Sequence, residues 1–405
     1  MKGQIFLYLA AIFAAAYATK VLTNKLKIPE VTGFVILGVI LGVSAANLLT
    51  PAVLDQFSSL STIALGMIAF TIGIELKGEV IKSLGKSIFT IVTCESIGTF
   101  LVVFLVLHYI YKAELNTALL LGAVASATAP AATVAVIRQY KAKGPLTSTI
   151  LAVVGLDDAA ALIIYVFIEG FVSSSLLGTS ISIPIMLVGA LIEILEAFGI
   201  GIAFAILYVI ILRKVKNNEQ IMLLLVAFLM GLIGIAEYLG VSELLAAMAF
   251  GAVIVNTSPV LSKKSASIVS SFSPIFITAF FILGGAHLDI SLIKEIGVLG
   301  LWYFVARSIG KTGGATLGAN IGRAPKTVRN LVGFALLPQV GVALALALAI
   351  NKEFTMPQYG SAGATMAKIV INVLLFTTII TEIIGPLMTR HALKKAGEIH
   401  LTDNN

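Results

Sequence analysis

Long, continuous apolar runs are the feature that most restricts how this 405-residue chain can fold. A membrane-spanning helix needs about 20 mostly apolar residues, and thirteen segments are candidates for such a helix. We number them 1 to 13 in chain order: 4–22, 30–49, 57–76, 86–110, 116–138, 145–171, 183–212, 219–239, 241–256, 272–287, 293–318, 328–350 and 362–388. The sequence therefore predicts an all-α polytopic membrane protein with about thirteen transmembrane helices.

Composition excludes several other classes of protein. Hydrophobic residues make up 59% of the chain and charged residues only 12%, which is about half the charged share of a soluble domain. A soluble fold could not bury that much apolar surface. The single cysteine, Cys94, cannot form an intrachain disulfide. A soluble enzyme, a disordered chain and a disulfide-rich secreted scaffold are all excluded.

The distribution of positive charge predicts the orientation in the membrane. Most of the 27 Lys and Arg residues follow odd-numbered segments: Lys20, Lys25, Lys27, Lys77, Lys82, Lys86, Arg138, Lys141, Lys143, Arg213, Lys214, Lys216, Lys263, Lys264, Arg323, Lys326, Arg329, Arg390, Lys394 and Lys395. The opposite side carries Lys2, Lys112, Lys294 and Lys352. Cytoplasmic loops are enriched in Lys and Arg, so we expect a plasma-membrane protein with its N-terminus outside and its C-terminus in the cytoplasm. The net charge of +7 is then a topology signal, and no nucleic-acid partner is expected.

Segments 5 and 12 resemble each other, as an inverted repeat relating segment n to segment n+7 requires. Each is an apolar segment interrupted by proline near its middle, and proline removes a backbone donor and disfavours a continuous helix. We predict two broken helices that cross beside a cavity. The residues at this predicted crossover are Ser126, Thr128, Pro130 and Thr133 in segment 5, and Pro338, Gln339 and Gly341 in segment 12.

Four of the charged residues inside predicted spans are the strongest candidates for function. Asp157 and Asp158 lie near the middle of segment 6, where each charge costs about 2.5–3.5 kcal/mol on insertion scales. Neighbouring helical residues point about 100° apart, so the two carboxylates can have different partners. Arg307 and Lys311 share one face of segment 11.

We hypothesise that Lys311 pairs with Asp157 and leaves Asp158 facing the cavity between the broken helices. In the alternative interpretation, the Lys311–Asp157 ion pair is a fixed part of the scaffold. Arg307 does not titrate at accessible pH, so it is expected to be a permanent structural counter-charge.

Other intramembrane charges are weaker candidates because long side chains near helix ends can reach the interface. They are Glu95, Glu193, Glu196, Lys368 and Glu382. The histidines lie near helix ends or in the tail: His108, His287, His391 and His400. No spacing typical of a resident metal site or a nucleotide site occurs, so no cofactor is predicted.

Four short stretches occur in the order found in one transporter family. They are Ile28-Pro29-Glu30-Val31-Thr32-Gly33, Phe70-Thr71-Ile72-Gly73-Ile74-Glu75-Leu76, Asp157-Asp158 and Gly310-Lys311-Thr312-Gly313-Gly314. With these motifs the chain resembles the monovalent cation:proton antiporter 2 family, in the NapA-like sodium/proton branch that carries paired aspartates. The resemblance covers nearly the whole chain.

The resemblance implies cation binding by Asp158 with Asp157 and Thr128, and pairing of Asp157 with Lys311. It implies a homodimer formed through helices outside the transport core. The expected organisation is scaffold helices in 1–80 and 219–288, core helices in 86–171 and 293–388, a linker helix in 183–213, and a short cytoplasmic tail in 389–405. The chain departs from its relatives at Ala129, where a second hydroxyl is common, and at Gln339, where a charge is common.

We therefore expect a secondary active transporter, and not an enzyme, that exchanges sodium for protons by elevator-like alternating access. Lithium and potassium are alternatives, since all three cations take oxygen ligands. Exchange becomes electrogenic if Lys311 also releases a proton in each cycle. The closest rival is a sodium-coupled symporter of an organic substrate with similar inverted repeats; a passive channel is another. An intramembrane aspartyl protease needs two facing carboxylates, and adjacent aspartates on one helix point apart.

Overall fold

The computed structural model describes residues 2–26, 30–42, 45–76, 78, 85–178, 183–215, 217–289 and 293–399. Within these ranges the chain forms helices and turns and contains no β-strand. Several residues of the sequence predictions lie outside the described residues: Lys27, Ile28, Pro29, Lys77, Lys82, Lys216 and 400–405, including His400.

The described α-helices follow one another with short connections. They are α1 (Lys2–Leu26), α2 (Glu30–Leu41), α3 (Pro51–Gln56), α4 (Ser58–Glu75), α5 (Gly85–Leu105), α6 (Leu115–Ala125), α7 (Pro130–Gln139), α8 (Pro145–Leu176), α9 (Ile183–Leu212), α10 (Asn218–Leu239), α11 (Glu243–Thr257), α12 (Pro259–Ala286), α13 (Ile293–Ile321), α14 (Lys326–Leu331), α15 (Gly341–Phe354) and α16 (Gly360–Lys395). A π-helical turn, Val106–Ile110, extends α5, and 3₁₀ turns cover Val332–Leu336 and Pro357–Tyr359.

The all-helical membrane architecture is confirmed, whereas the count of thirteen spans is not. By length and composition, seven helices within the described ranges can cross a membrane, or eight if the bent pair Lys326–Leu336 and Gly341–Phe354 is one span. Three further apolar helices are shorter: Ser58–Ile74, Leu115–Ala125 and Glu243–Thr257. Hydropathy identifies apolar runs, but it carries no information on where a helix within such a run ends.

Two predicted boundaries differ clearly from the helices. The helix in segment 2 (30–49) ends at Leu41. The backbone amides of Leu48 and Leu49 then donate hydrogen bonds to the carbonyl of Leu41. Segment 10 (272–287) is only the last part of α12, which begins at Pro259. The serine-rich first half of α12 is too polar to read as a span, yet Ser262 and Ser265 are buried against neighbouring helices.

Both predicted helix breaks are present. Segment 5 divides into α6 and α7 around residues 126–129, and segment 12 divides into α14 with its 3₁₀ turn and α15 around residues 337–340. The two parts of segment 12 are bent by 46° relative to each other. Pro130 and Gly341 are the first residues of the second half-helices, positions where a missing donor or a missing side chain costs a helix little.

A glycine seam joins α13 to α5. A Cβ on Gly310 would meet Thr99, one on Gly314 would meet the carbonyl oxygen of Cys94, and one on Gly318 would meet that of Thr90. Small residues four apart let two helix backbones touch inside a membrane. The Thr90 hydroxyl adds a hydrogen bond to the Gly318 carbonyl at 2.9 Å. Lys311 on α13 is therefore held at a fixed distance from α5.

Two other helix pairs approach through glycine in a related way. Gly38 of α2 and Gly42, which directly follows α2, lie against α12, and Gly285 of α12 lies against α2. Gly73 of α4 and Gly251 of α11 lie against each other's helices. The first pair, α2 and α12, corresponds to segments 2 and 10, and the second pair, α11 and α4, corresponds to segments 9 and 3. A relation of segment n to segment n+7 converts one pair into the other. The contacts agree with the inverted repeat inferred from the two broken segments.

Gly314→Ala is expected to destabilise the protein, because its methyl group would sit 2.5 Å from the Cys94 carbonyl oxygen and 2.9 Å from the Glu95 Cα. Overpacking of this kind costs about 1–3 kcal/mol. The melting temperature of detergent-purified protein measures the loss. Gly313→Ala is the matched control, since no heavy atom lies within 4 Å of that Cβ position. Equal melting temperatures for the two variants would contradict the seam.

Candidate functional site

The two aspartates predicted to carry function are buried in the middle of α8. The Asp157 side chain is fully buried, and Asp158 is 3% exposed. The crossover residues Ser126, Thr128 and Gln339 are buried as well. Because adjacent helical positions differ by about 100°, only one of the two aspartates can face α13 directly.

The Lys311 ammonium joins four parts of the structure. It is ion-paired with Glu95 of α5, and it lies 3.6 Å from Oδ2 of Asp157 on α8. It also donates to the Ser126 carbonyl at 2.5 Å and to the Thr128 hydroxyl at 2.7 Å, both in the first break. The predicted Lys311–Asp157 pairing is present in the structure, but it is shared with a second carboxylate and with the crossover.

Glu95, a weaker candidate from sequence, is a central member of this buried group. It lies fully buried on α5, where Oε2 accepts from the Ser96 hydroxyl at 3.2 Å. The repeat contained a signal for it, because segment 4 is the counterpart of segment 11. The helices of these two segments, α5 and α13, pack against each other, so buried charges on the two helices can meet. The glycine seam between α5 and α13 then brings the two side chains into contact.

Arg307 binds the backbone of both breaks at once. Its guanidinium donates to the carbonyls of Ala125 at 3.1 Å, Ala127 at 2.9 Å and Leu337 at 2.6 Å, with a longer contact to Pro338 at 3.5 Å. These carbonyls lose helical partners where the helices stop. A planar group with five donors on three nitrogens can serve acceptors on both breaks, whereas an ammonium has three donors on a single atom.

Further hydrogen bonds join one break to the other. The Ala129 amide donates to the Pro338 carbonyl at 2.9 Å, and the Thr133 hydroxyl donates to the Ala335 carbonyl at 2.9 Å. The Gln339 side-chain amide donates to the Val124 carbonyl at 3.0 Å and to the Tyr303 hydroxyl at 2.8 Å. The side chain that departs from the family pattern is thus used to hold the crossover together.

Carboxyl groups outnumber cationic side chains in this buried region. Besides Glu398 near the C-terminus, the buried charged residues of the described chain are two cations, Arg307 and Lys311, and four carboxyl groups, namely Glu95, Asp157, Asp158 and Glu382. Burying an excess of like charge is costly unless other charges compensate it. Bound protons or hard cations, which prefer oxygen ligands, are suitable compensation.

The remaining weaker candidates divide into buried and exposed residues. Glu382 of α16 is 3% exposed, so it belongs to the buried region rather than to the interface. Lys368 is mostly exposed and pairs with Asp289 at 3.2 Å. Glu196 is exposed on α9, and the side chain of Glu193 lies outside the described residues.

A cavity of about 410 Å³ opens at the end of α8 that is opposite Pro145. Four glutamates line it: Glu169, Glu237, Glu243 and Glu353. The Lys352 ammonium lies within it, 2.8 Å from Glu237 and 3.6 Å from Glu243. The buried Tyr165 lines it as well. Asp158, Tyr165 and Glu169 follow a seven- and four-residue spacing and share one face of α8, so the cavity lies on the Asp158 face about 10 Å farther along the helix.

Comparison with known proteins identifies one family over nearly the whole chain. The model of the family described as "Sodium/hydrogen exchanger, transmembrane" matches residues 9–395. A Na⁺/H⁺ antiporter of Enterococcus hirae is 22% identical over 401 residues, covering 96% of this chain and 97% of that protein. The K⁺/H⁺ antiporter subunit KhtU of Bacillus subtilis is 24% identical over 414 residues, covering 97% and 94%.

Solved structures share the fold. The sodium proton antiporter MjNhaP1 of Methanocaldococcus jannaschii superposes with a TM-score of 0.80 at 18% identity, covering 97% of this chain and 98% of that one. A second structure of the same antiporter gives a TM-score of 0.76 and covers 99% of this chain. The resemblance inferred from the four sequence motifs is confirmed at the level of the family.

Arg307→Lys is expected to lower the melting temperature of the purified protein. An ammonium offers three donors from a single atom in place of five from a planar fork, and each buried carbonyl left without a donor costs about 1–3 kcal/mol. Thermal unfolding in detergent measures the change, with Arg213→Lys as the control because Arg213 is exposed. If Arg307→Lys melted at the wild-type temperature, the guanidinium would not hold the crossover.

Proposed function

Because the chain belongs to the sodium/hydrogen exchanger family and is a monovalent cation:proton antiporter, we propose that Asp158, with Asp157, is its exchange site. The protein is a multi-pass membrane transporter and not an enzyme. The proposal rests on one observation: among the described residues buried carboxyl groups outnumber buried cationic side chains, and Asp158 directly follows Asp157, which pairs with Lys311. A buried anionic site of this kind needs protons or cations to balance its charge.

Competition between the two ions is the proposed mechanism. A carboxylate removed from water binds a proton more tightly than one in water, because burial disfavours its charged form. A dehydrated monovalent cation at the same carboxylate finds oxygen ligands in Asp157, in the Thr128 hydroxyl and in carbonyls of the break. One carboxylate cannot hold both ions, so each ion displaces the other, and the fluxes are coupled.

Lys311 controls the supply of ligands in this proposal. Its ammonium occupies Thr128 and the Ser126 carbonyl and is shared between Glu95 and Asp157. A cation entering beside Asp158 competes with the ammonium for these oxygens. If Lys311 gives up a proton when the cation arrives, two protons move for each cation and exchange is electrogenic. Each unit of charge then couples to about 2.3 kcal/mol per 100 mV of membrane potential.

Sodium is the proposed cation, with lithium and potassium as alternatives. The relatives are named for different ions, sodium in Enterococcus hirae and potassium in Bacillus subtilis. Their similarity to this chain is nearly equal, so relatedness alone does not choose between the two ions. No observation favours the symporter of an organic substrate.

Alternating access is proposed to move a core group (α5–α8 and α13–α16) against a scaffold group (α1–α4 and α10–α12), with α9 as the linker. Among the described glycines, some would bring a Cβ against the backbone of another helix. In every such case both helices belong to the same group, when α9 is counted with the scaffold. The glycine contact that crosses between the groups, Gly284 of α12 to Leu344 of α15, meets side-chain atoms only. An interface of side chains can slide more easily than interlocked backbones.

The acidic cavity is proposed as the outer approach to Asp158. It lies at the end of α8 remote from Lys141 and Lys143, and the positive-inside rule puts those lysines in the cytoplasm. Clustered carboxylates raise the local cation concentration at the mouth of a cleft. The plasma-membrane location, the outside N-terminus and the homodimer stay predictions.

Asp158→Asn is expected to abolish cation-driven proton movement, because the amide cannot exchange a proton for a cation. The measurement is quenching of a pH-sensitive dye in proteoliposomes after addition of sodium, lithium or potassium. Asp55→Asn is the matched control, since Asp55 is exposed on α3 and should leave the rate unchanged.

Sodium-dependent proton flux in the Asp158→Asn variant would remove Asp158 from the site. Vesicles that contain the wild-type protein also test the proton:cation stoichiometry, when a voltage is imposed with potassium and valinomycin. Electrogenic exchange changes its initial rate with voltage, whereas a rate independent of voltage would indicate one proton per cation.

Glu95→Gln is expected to raise the half-saturating sodium concentration roughly tenfold, which corresponds to about 1.4 kcal/mol. Without Glu95 the Lys311 ammonium pairs with Asp157 alone, so an entering cation competes with a stronger ion pair. Titration of the dye response with sodium measures the change, and Glu95→Asp, which keeps the charge, is the control. An unchanged or lower half-saturating concentration for Glu95→Gln would contradict the shared ammonium.

A further inference from the structure

The helix that carries Asp157 and Asp158 begins with backbone amides that its own sequence does not cap. α8 starts at Pro145 after Gly144, which has no side chain to accept a hydrogen bond. The first amides of a helix have no partners within the helix. Those of Leu146 and Thr147 are buried, so acceptors from elsewhere are required.

Glu398, which follows α16 near the C-terminus, provides those acceptors. Its Oε1 accepts from the Leu146 amide at 2.7 Å, and its Oε2 accepts from the Thr147 amide at 2.7 Å and from the Thr147 hydroxyl at 2.7 Å. The residue is only 5% exposed. A buried carboxylate is stabilised at this place because the N-terminus of a helix carries partial positive charge.

The surrounding contacts hold the same two segments together. The Lys143 amide donates to the Glu398 carbonyl at 3.0 Å. Gly144 has φ +159° and passes so close to the Glu398 side chain that a Cβ would overlap it. One helix turn before α16 ends, the Arg390 guanidinium lies over the Tyr140 ring at 5.2 Å.

An apolar cluster lies beneath this contact and is separate from the main core. It includes Leu146 and Ile150 of α8 and Leu393 of α16, and Ile399 packs against it. Residues 389–395, predicted to begin a tail, continue α16 as its last turns. The end of the described chain is therefore packed into the region that holds the start of α8.

The other attachment of α16 is to the crossover. The Thr378 hydroxyl donates to the Gln339 carbonyl at 3.1 Å, and Gly385 lies directly against Pro338. α16 thus contacts the second break near its middle and the first turn of α8 near its end. Thr147 and Asp157 are ten residues apart on one helix, which is about 15 Å.

We propose that Glu398 is a positioning residue for the exchange site. Its carboxylate clasps the start of α8 to α16, so that the two aspartates keep their register with the crossover that α16 also holds. This inference rests on the proposed function of Asp158. Loss of the clasp frees the first turn of α8 and lets Asp158 shift relative to Thr128 and Lys311, although Glu398 touches none of them.

The test compares Glu398→Ala, Glu398→Gln and Thr147→Val in full-length protein reconstituted into vesicles. We expect Glu398→Ala to raise the half-saturating sodium concentration at least about threefold at constant pH, because misplacing a binding group weakens each contact it makes. Glu398→Gln presents an NH₂ group to one amide and is expected to have nearly the same effect. Thr147→Val loses only the hydroxyl bond and is expected to fall between wild type and Glu398→Ala.

The matched control is Glu219→Ala, which removes an exposed glutamate from the first turn of α10 and should leave the sodium dependence unchanged. A merely structural cap would lower the melting temperature and the maximal rate but not the half-saturating concentration, and that result would overturn the proposal. If Glu398→Ala does not fold, an unchanged half-saturating concentration in Thr147→Val and Glu398→Gln overturns it equally. Absence of exchange in the wild type would instead defeat the proposed function itself.

Discussion

The guanidinium of Arg307 makes the interrupted architecture possible. Two helices stop inside the apolar region, and each stop releases carbonyls that lipid cannot satisfy. The single Arg307 guanidinium donates hydrogen bonds to carbonyls at both breaks, those of Ala125, Ala127 and Leu337. These hydrogen bonds stabilise the non-helical backbone at both breaks. The hydrogen bonds of Lys311 to Ser126 and Thr128 require the first break to stay non-helical.

Much of this arrangement could be predicted from residue type and position. Proline marked both breaks, and the rarity of charge in apolar segments marked Asp157, Asp158, Arg307 and Lys311. Glu95 was underrated because its importance comes from packing: the glycine seam between α5 and α13 sets its distance from Lys311. The partners of Arg307 could not be predicted either, since backbone carbonyls have no signature in sequence.

Boundaries were the other weak point, for a related reason. The polar first half of α12 is helical because Ser262 and Ser265 pack against other helices, and hydropathy counts them as loop. The sequence predicts a tail from residue 389 because the apolar run ends at 388 and the residues after it are mostly polar, yet α16 continues to Lys395 and Leu393 is buried. At both places tertiary packing determines a helix where the local composition favours a loop or a tail.

The backbone contact between α5 and α13 has a consequence for thermodynamics. The helices α5 and α13 are interlocked through Gly310, Gly314 and Gly318, so in the proposed alternating access Glu95 and Lys311 move together as one rigid body. Under that proposal, a site carried intact between the two membrane faces presents the same ligands to each of them. Its intrinsic dissociation constant for the ion is then similar on the two sides of the membrane.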